Sequence, residues 1–140
     1  MTSAGILLNT MGKRKQVYNM DKIFTLLKML NKDKRYELES YSFVMSSLDF
    51  TIKGLGRKGH VTGQELLEGI KGYALEQFGP MARSVLAHWG IKTTDDFGEI
   101  VFNMIDAGML GKTECDSKEE FRDRFDFKSA FDNKRNYTIH

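Results

Sequence analysis

A chain of 140 residues with 41% hydrophobic content and ten phenylalanines fits one ordinary domain, large enough to bury roughly two-thirds of its unfolded surface without staples. Its single cysteine, Cys115, excludes an intrachain disulfide and fits a reducing, cytoplasmic compartment. The net charge of +2 is unevenly spread: residues 1–59 hold eleven Lys/Arg and five Asp/Glu (+6), and residues 60–140 hold ten and fourteen (−4).

Residues 1–19 show no sustained periodicity and carry basic but no acidic residues, the pattern of a flexible basic extension; a natural start at Met20 is the alternative. The patch Ile6, Leu7, Leu8 precedes the basic run Lys13, Arg14, Lys15, the reverse of a signal peptide, so no export signal is expected. No apolar run approaches the ~18 residues of a membrane span, and no membrane association is expected. Ile23, Leu26, Leu27 and Leu30 recur on one helical face, and residues 31–34 break the pattern. A longer helix follows from about Glu37. Tyr41, Val44, Leu48, Ile52 and Leu55 make one stripe and Phe43 and Phe50 a second, so this helix is expected between two neighbours and ends at Gly54 or Gly56.

The loop GLGRKG (54–59) is glycine-rich and basic but lacks the Gly-Lys-Ser/Thr of a phosphate-binding loop. Thr62 and Glu65 have the spacing of a capping box, opening a helix that runs to Phe78. Pro80 suits the first turn of the next helix, with Val85, Leu86 and Trp89 inward and Gly90 closing it. Thr93 or Thr94 caps a further helix whose inner face is Phe97, Ile100, Val101, Met104 and Ile105, with Gly108 as its stop. Phe121, Asp123, Phe125 and Phe127 then alternate as a half-buried strand does, and residues 110–114 are the expected partner of a C-terminal hairpin. The rival is a helix capped by Ser117 with Glu120. Asp126 caps a last short helix to Phe131. The expected fold is therefore mostly α: one compact domain of five or six helices over residues 20–133 with a C-terminal β-hairpin, a winged-helix-like arrangement being the alternative, and a frayed tail over 134–140.

Four blocks, HVTGQELLEGI (60–70), ALEQFGP (74–80), HWGI (88–91) and DFGEIVFN (96–103), resemble the Minf-type family of small uncharacterised bacterial proteins. The similarity covers about residues 20–133. It implies a bacterial cytoplasmic protein and implies no activity.

The standard chemical motifs are missing. His60, His88 and His140 do not form a zinc-binding spacing, and no cofactor or metal is expected. Cys115 lies between Glu114 and Asp116, which disfavour the reactive thiolate. The helix that a winged-helix protein would place in the major groove carries Asp95, Asp96, Glu99 and Asp106 and no Lys or Arg, which opposes sequence-specific DNA reading. Two basic clusters remain, Lys32, Lys34 and Arg35 in one loop and Lys53, Arg57 and Lys58 in another. The function expected from these residues is a non-catalytic binding or regulatory module for a protein or ribonucleoprotein partner, including RNA or ribosome contact. The alternatives are a small enzyme with a pocket assembled from His60, Glu65, His88 and Trp89, and a structural subunit of a homo-oligomer.

Overall fold

The computed structural model describes residues 6–8, 20–56, 60–112 and 117–132. Among these described residues six helices form the body: α1 (Met20–Lys32), α2 (Leu38–Leu55), α3 (Gly63–Phe78), α4 (Ala82–His88), α5 (Thr94–Asp106) and α6 (Phe127–Asp132). The described residues also hold three short strands: β1 (Ile6–Leu8), β2 (His60–Val61) and β3 (Leu110–Lys112). The mostly helical expectation holds.

The central helix is α2, which packs most extensively on α3 and also on α5. Its apolar line, Tyr41, Phe43, Val44 and Leu48, is buried, and so are Ser40, Ser47 and Thr51. These hydroxyls are satisfied within the chain: Ser47 Oγ donates to Phe43 O (2.9 Å) and Thr51 Oγ1 to Ser47 O (2.7 Å). Small, internally bonded side chains let α3 approach closely. At Gly69 of α3 a Cβ would stand 1.7 Å from Thr51 Oγ1, so only glycine fits this crossing.

Local capping signals are realised. Thr62 Oγ1 accepts from Glu65 N (3.0 Å), and Glu65 Oε1 accepts from Thr62 N (2.9 Å). A second carboxylate joins from far away, as Gly63 N donates to Glu120 Oε1 (2.7 Å). Asp96 Oδ2 accepts the N–H groups of Lys92 (2.8 Å) and Thr93 (3.1 Å) at the start of α5. The inner face of α5, Phe97, Ile100, Val101 and Met104, is buried as expected. Pro80 lies in a 3₁₀ turn, Gly79–Met81, that leads into α4.

Two expectations are corrected. Ile6–Leu8, placed by the sequence in a flexible extension, is the middle strand of an antiparallel sheet ordered β2-β1-β3. Its register pairs Ile6 with Val61 and Lys112, Leu7 with His60 and Gly111, and Leu8 with Leu110. The C-terminal hairpin is the second. β3 pairs with β1, and Lys118–Phe121 is a 3₁₀ turn in which Ser117 Oγ accepts from Glu119 N (3.0 Å). The backbone after it is satisfied by the start of α5 instead of by a strand. Thr94 Oγ1 donates to Phe121 O (2.7 Å) and accepts from Arg124 N (2.9 Å), and Asp95 Oδ1 accepts from Asp123 N (2.8 Å). Asp123 has φ +47°, a turn that strand geometry does not allow. The period-two pattern arose because this irregular segment also buries Phe121 and Phe127 while exposing Asp123. Among the described residues there is thus no C-terminal wing, and the winged-helix alternative loses its main element.

Candidate functional site

The first basic cluster divides in two. Arg35 grips Asp33 with two bonds, Nε to Oδ1 (2.9 Å) and Nη2 to Oδ2 (2.8 Å), and reaches Glu99 of α5 (3.2 Å). Its guanidinium also lies 5.0 Å from the Tyr36 ring centroid. Asn103 Nδ2 donates to Asp33 Oδ2 (2.9 Å) and to Tyr41 OH (3.0 Å), and Lys118 Nζ reaches Glu99 (3.1 Å). Tyr36, buried, donates its hydroxyl to Asp96 Oδ1 (2.5 Å).

This loop is clamped from the other side as well, because Gly90, at φ +97°, sits where a Cβ would meet Arg35 O at 2.1 Å. The bond from Arg35, with help from Asn103, holds the Asp33 carboxyl well below the usual carboxylate range, while the Asp33 bond holds the Arg35 guanidinium above its own. Burial and the bond to Asp96 push the Tyr36 hydroxyl up, and burial does the same for Tyr41. Arg35 is therefore a pin between the α1–α2 loop and α5. Lys32 and Lys34 are exposed.

The second basic cluster is represented by Lys53, paired with Asp49 (3.0 Å) on the exposed side of α2. Arg57, Lys58, Cys115, His140 and the run Lys13–Lys15 lie outside the described residues.

The pocket expected from His60, Glu65, His88 and Trp89 is not gathered into one place. Glu65 is occupied in the capping box at the start of α3, and His60 lies beside it in β2. Trp89 packs its ring 5.8 Å from Phe43 and 5.7 Å from Phe78, at the far end of α3. Thirteen residues of helix separate Glu65 from Phe78, roughly 20 Å along the axis. His88, exposed at the end of α4, lies at that far end next to Trp89. Phe50 and Phe102, both off the main stripes of their helices, are half-buried, Phe50 against Tyr73 at 5.1 Å.

A groove of about 700 Å³ opens elsewhere, between α4, the start of α5 and the segment before α6. Arg83, Lys92, Lys128, Asp95, Asp123 and Asp126 rim it above Ile91, Phe125 and Phe127. Much of the rim serves the fold. Arg83 pairs with Asp132 (2.5 Å), Asp95 holds the Asp123 amide, and Asp126 Oδ2 accepts from Ser129 N (3.0 Å) and Oγ (3.2 Å). The Ser129 bonds lower the Asp126 carboxyl, which suits an ionised helix cap and not a general acid at neutral pH. Among the described residues, no three His, Cys, Asp or Glu side chains gather as metal ligands.

The surface feature that sequence periodicity missed is on α1. Its apolar arc is wider than its buried face. Met29 is buried and Leu26 and Leu30 are half-buried. Phe24, Leu27 and Ile23, by contrast, are 57%, 55% and 39% exposed. At 100° per residue these three fall on one outward face, bordered by Lys28 and Lys32 one step further around. Both lysines are exposed and, among the described residues, neither has an ion-pair partner. They also edge a crevice of about 290 Å³ that reaches Asn103 and Asp106 at the end of α5. Ile23 and Leu27 belong to the one apolar face that the sequence displays; the buried line is turned toward Met29.

Compared with known proteins, the chain matches no protein-family model, no curated protein and no solved structure. The partner surface is therefore read from this chain's own geometry. Among the described residues no helix is long and apolar enough to cross a membrane.

Proposed function

We propose that this chain is a non-catalytic binding module of the bacterial cytoplasm that engages a protein partner through the outward face of α1. The observation that carries the reading is the exposure of Ile23, Phe24 and Leu27 together on one face of a single helix. Scattered apolar side chains in water are ordinary, but three contiguous ones form a patch of the kind that partners cover. A protein, alone or as the protein part of a ribonucleoprotein, suits an apolar strip better than naked RNA does. Arg35, the strongest phosphate-binding candidate of the first cluster, is engaged in its own ion pairs. The enzyme reading loses support from the separation of Glu65 and His88, and the single cysteine and the Minf-type resemblance favour the cytoplasmic setting.

The test is purification of the tagged chain from native extract, with and without RNase, beside a Phe24→Asp/Leu27→Asp variant. The expected result is a protein that copurifies with the parent chain, survives RNase and is lost with the variant, whose circular dichroism is unchanged. Loss on RNase treatment, or retention by the variant, overturns the reading. The homo-oligomer alternative predicts light-scattering mass above the monomer that falls on dilution; a persistent monomer removes it.

A further inference from the structure

We infer that the partner segment that covers α1 is an acidic amphipathic helix, with its apolar face on Ile23, Phe24 and Leu27 and carboxylates beside Lys28 and Lys32. This rests on the α1 docking face proposed above and adds the chemistry of the occupant. The exposed side chains form two parallel ridges. Ile23 and Leu27, four residues apart, carry the first, with Phe24 beside them, and Lys28 and Lys32, also four apart, carry the second. Ridges at this spacing accept another helix, whose own i, i+4 rows fit between them.

The charge complement follows from the surroundings. Lys28 and Lys32 are the two cations on the α1 side of the crevice, and the charge facing them across it is Asp106 on α5. Carboxylates spaced one helical turn apart on an incoming helix meet one lysine each, while its leucines meet the strip. A partner with lysines there would face like charge and lose the match.

The width of the strip separates this occupant from an anionic lipid surface. A helix lying in a bilayer interface sinks a broad apolar face about 5–10 Å into the acyl boundary. On α1, half of the apolar arc is already used by Met29, Leu26 and Leu30 against the fold. The strip left over is three side chains wide, the footprint of one helix.

The experiment uses the full chain and two synthetic 20-residue peptides with leucines at i, i+3, i+4 and i+7. One carries glutamates along one flank of the leucine face, and the other carries lysines at the same positions. Binding is read by fluorescence anisotropy, alongside co-sedimentation with phosphatidylglycerol vesicles. The glutamate peptide is expected to bind at least tenfold more tightly than the lysine peptide. Lys28→Glu/Lys32→Glu reverses the preference, and Phe24→Asp weakens binding of the glutamate peptide at least tenfold with circular dichroism unchanged. Equal affinity for the two peptides, no binding of either, or co-sedimentation with vesicles that Phe24→Asp abolishes overturns the inference. Finding α1 buried in a dimer that Phe24→Asp dissociates overturns it too. If a protein still copurifies from extract in a Phe24-dependent manner while the glutamate peptide fails, the docking face stands and only the acidic-helix chemistry is lost.

Discussion

Tyr36 and Asp33 show how single residues hold the loop between α1 and α2. The Tyr36 hydroxyl donates to a carboxylate that also caps α5. Tyr36→Phe removes that charge-assisted bond but leaves Asp96 its two amide donors, so a loss of about 1.5 kcal/mol is expected in urea unfolding. For Asp33 the effect depends on pH. Its carboxyl is held below its ordinary value in the folded chain by Arg35 and Asn103, whereas the unfolded chain titrates near pH 4. The stabilisation is thus complete above that value and is lost as the pH falls from about 5 downward, because the unfolded state takes up the proton first. Asp33→Asn is expected to be less stable than the parent chain at pH 7, with the difference narrowing steadily toward pH 3 in chemical denaturation. Asp126, also lowered, leaves part of the acid sensitivity in place.

Between elements, the closest approach is α2 to α3 at Thr51 and Gly69. Gly69→Ala forces a methyl group into the Thr51 side chain, a case of overpacking expected to lower stability by about 1–3 kcal/mol. Thr51→Ala in the same chain removes the hydroxyl but leaves its Cβ 2.8 Å from the new methyl. A double-mutant cycle is therefore expected to show partial recovery. In the sheet, Leu7→Pro breaks the pairing of the middle strand, and amide exchange at Val61 and Gly111 is expected to quicken.

These elements differ in how plainly the sequence announces them. The Thr62–Glu65 box was legible, and so, to within one or two residues, were the cap at Thr93 or Thr94 and the stop at Gly54 or Gly56, because cap and helix lie within a few residues of one another; the structure selects Thr93 and Gly56. The pairing of Ile6 with Lys112 and the capping of Gly63 by Glu120 were not, since nothing local in either segment encodes its distant partner. The alternation around Phe125 was misleading for a related reason. Burial of every second residue reports which side chains face the core, and hydrogen bonds from Thr94 and Asp95 decide the backbone that carries them.

At the scale of the molecule, a dense body of α2, α3 and α5 carries a lightly seated α1. Among the described side chains of α1, Met29 is the one fully buried, so this helix has little packing to oppose its release. Native-state hydrogen exchange is expected to show α1 amides opening well before those of α2; equal protection in the two helices would contradict that picture. The candidate site was half legible for the same reason. The sequence displays the full apolar arc of Ile23, Leu26, Leu27 and Leu30, and only docking on the body decides which half stays in water. The basic loop was legible as charge, but the ion pairs that engage Arg35 come from Asp33 nearby and from Glu99, sixty-four residues on.

The place of Ile6–Leu8 between β2 and β3 also orders events at the ribosome. This strand is synthesised before either partner, and Lys112 follows Ile6 by more than a hundred residues. At elongation rates of about 5–20 residues per second, the strand waits roughly 5–20 seconds for its second edge to be made. A strand made before both of its partners is thereby among the last to be seated, and a nascent chain halted short of β3 holds an open sheet edge.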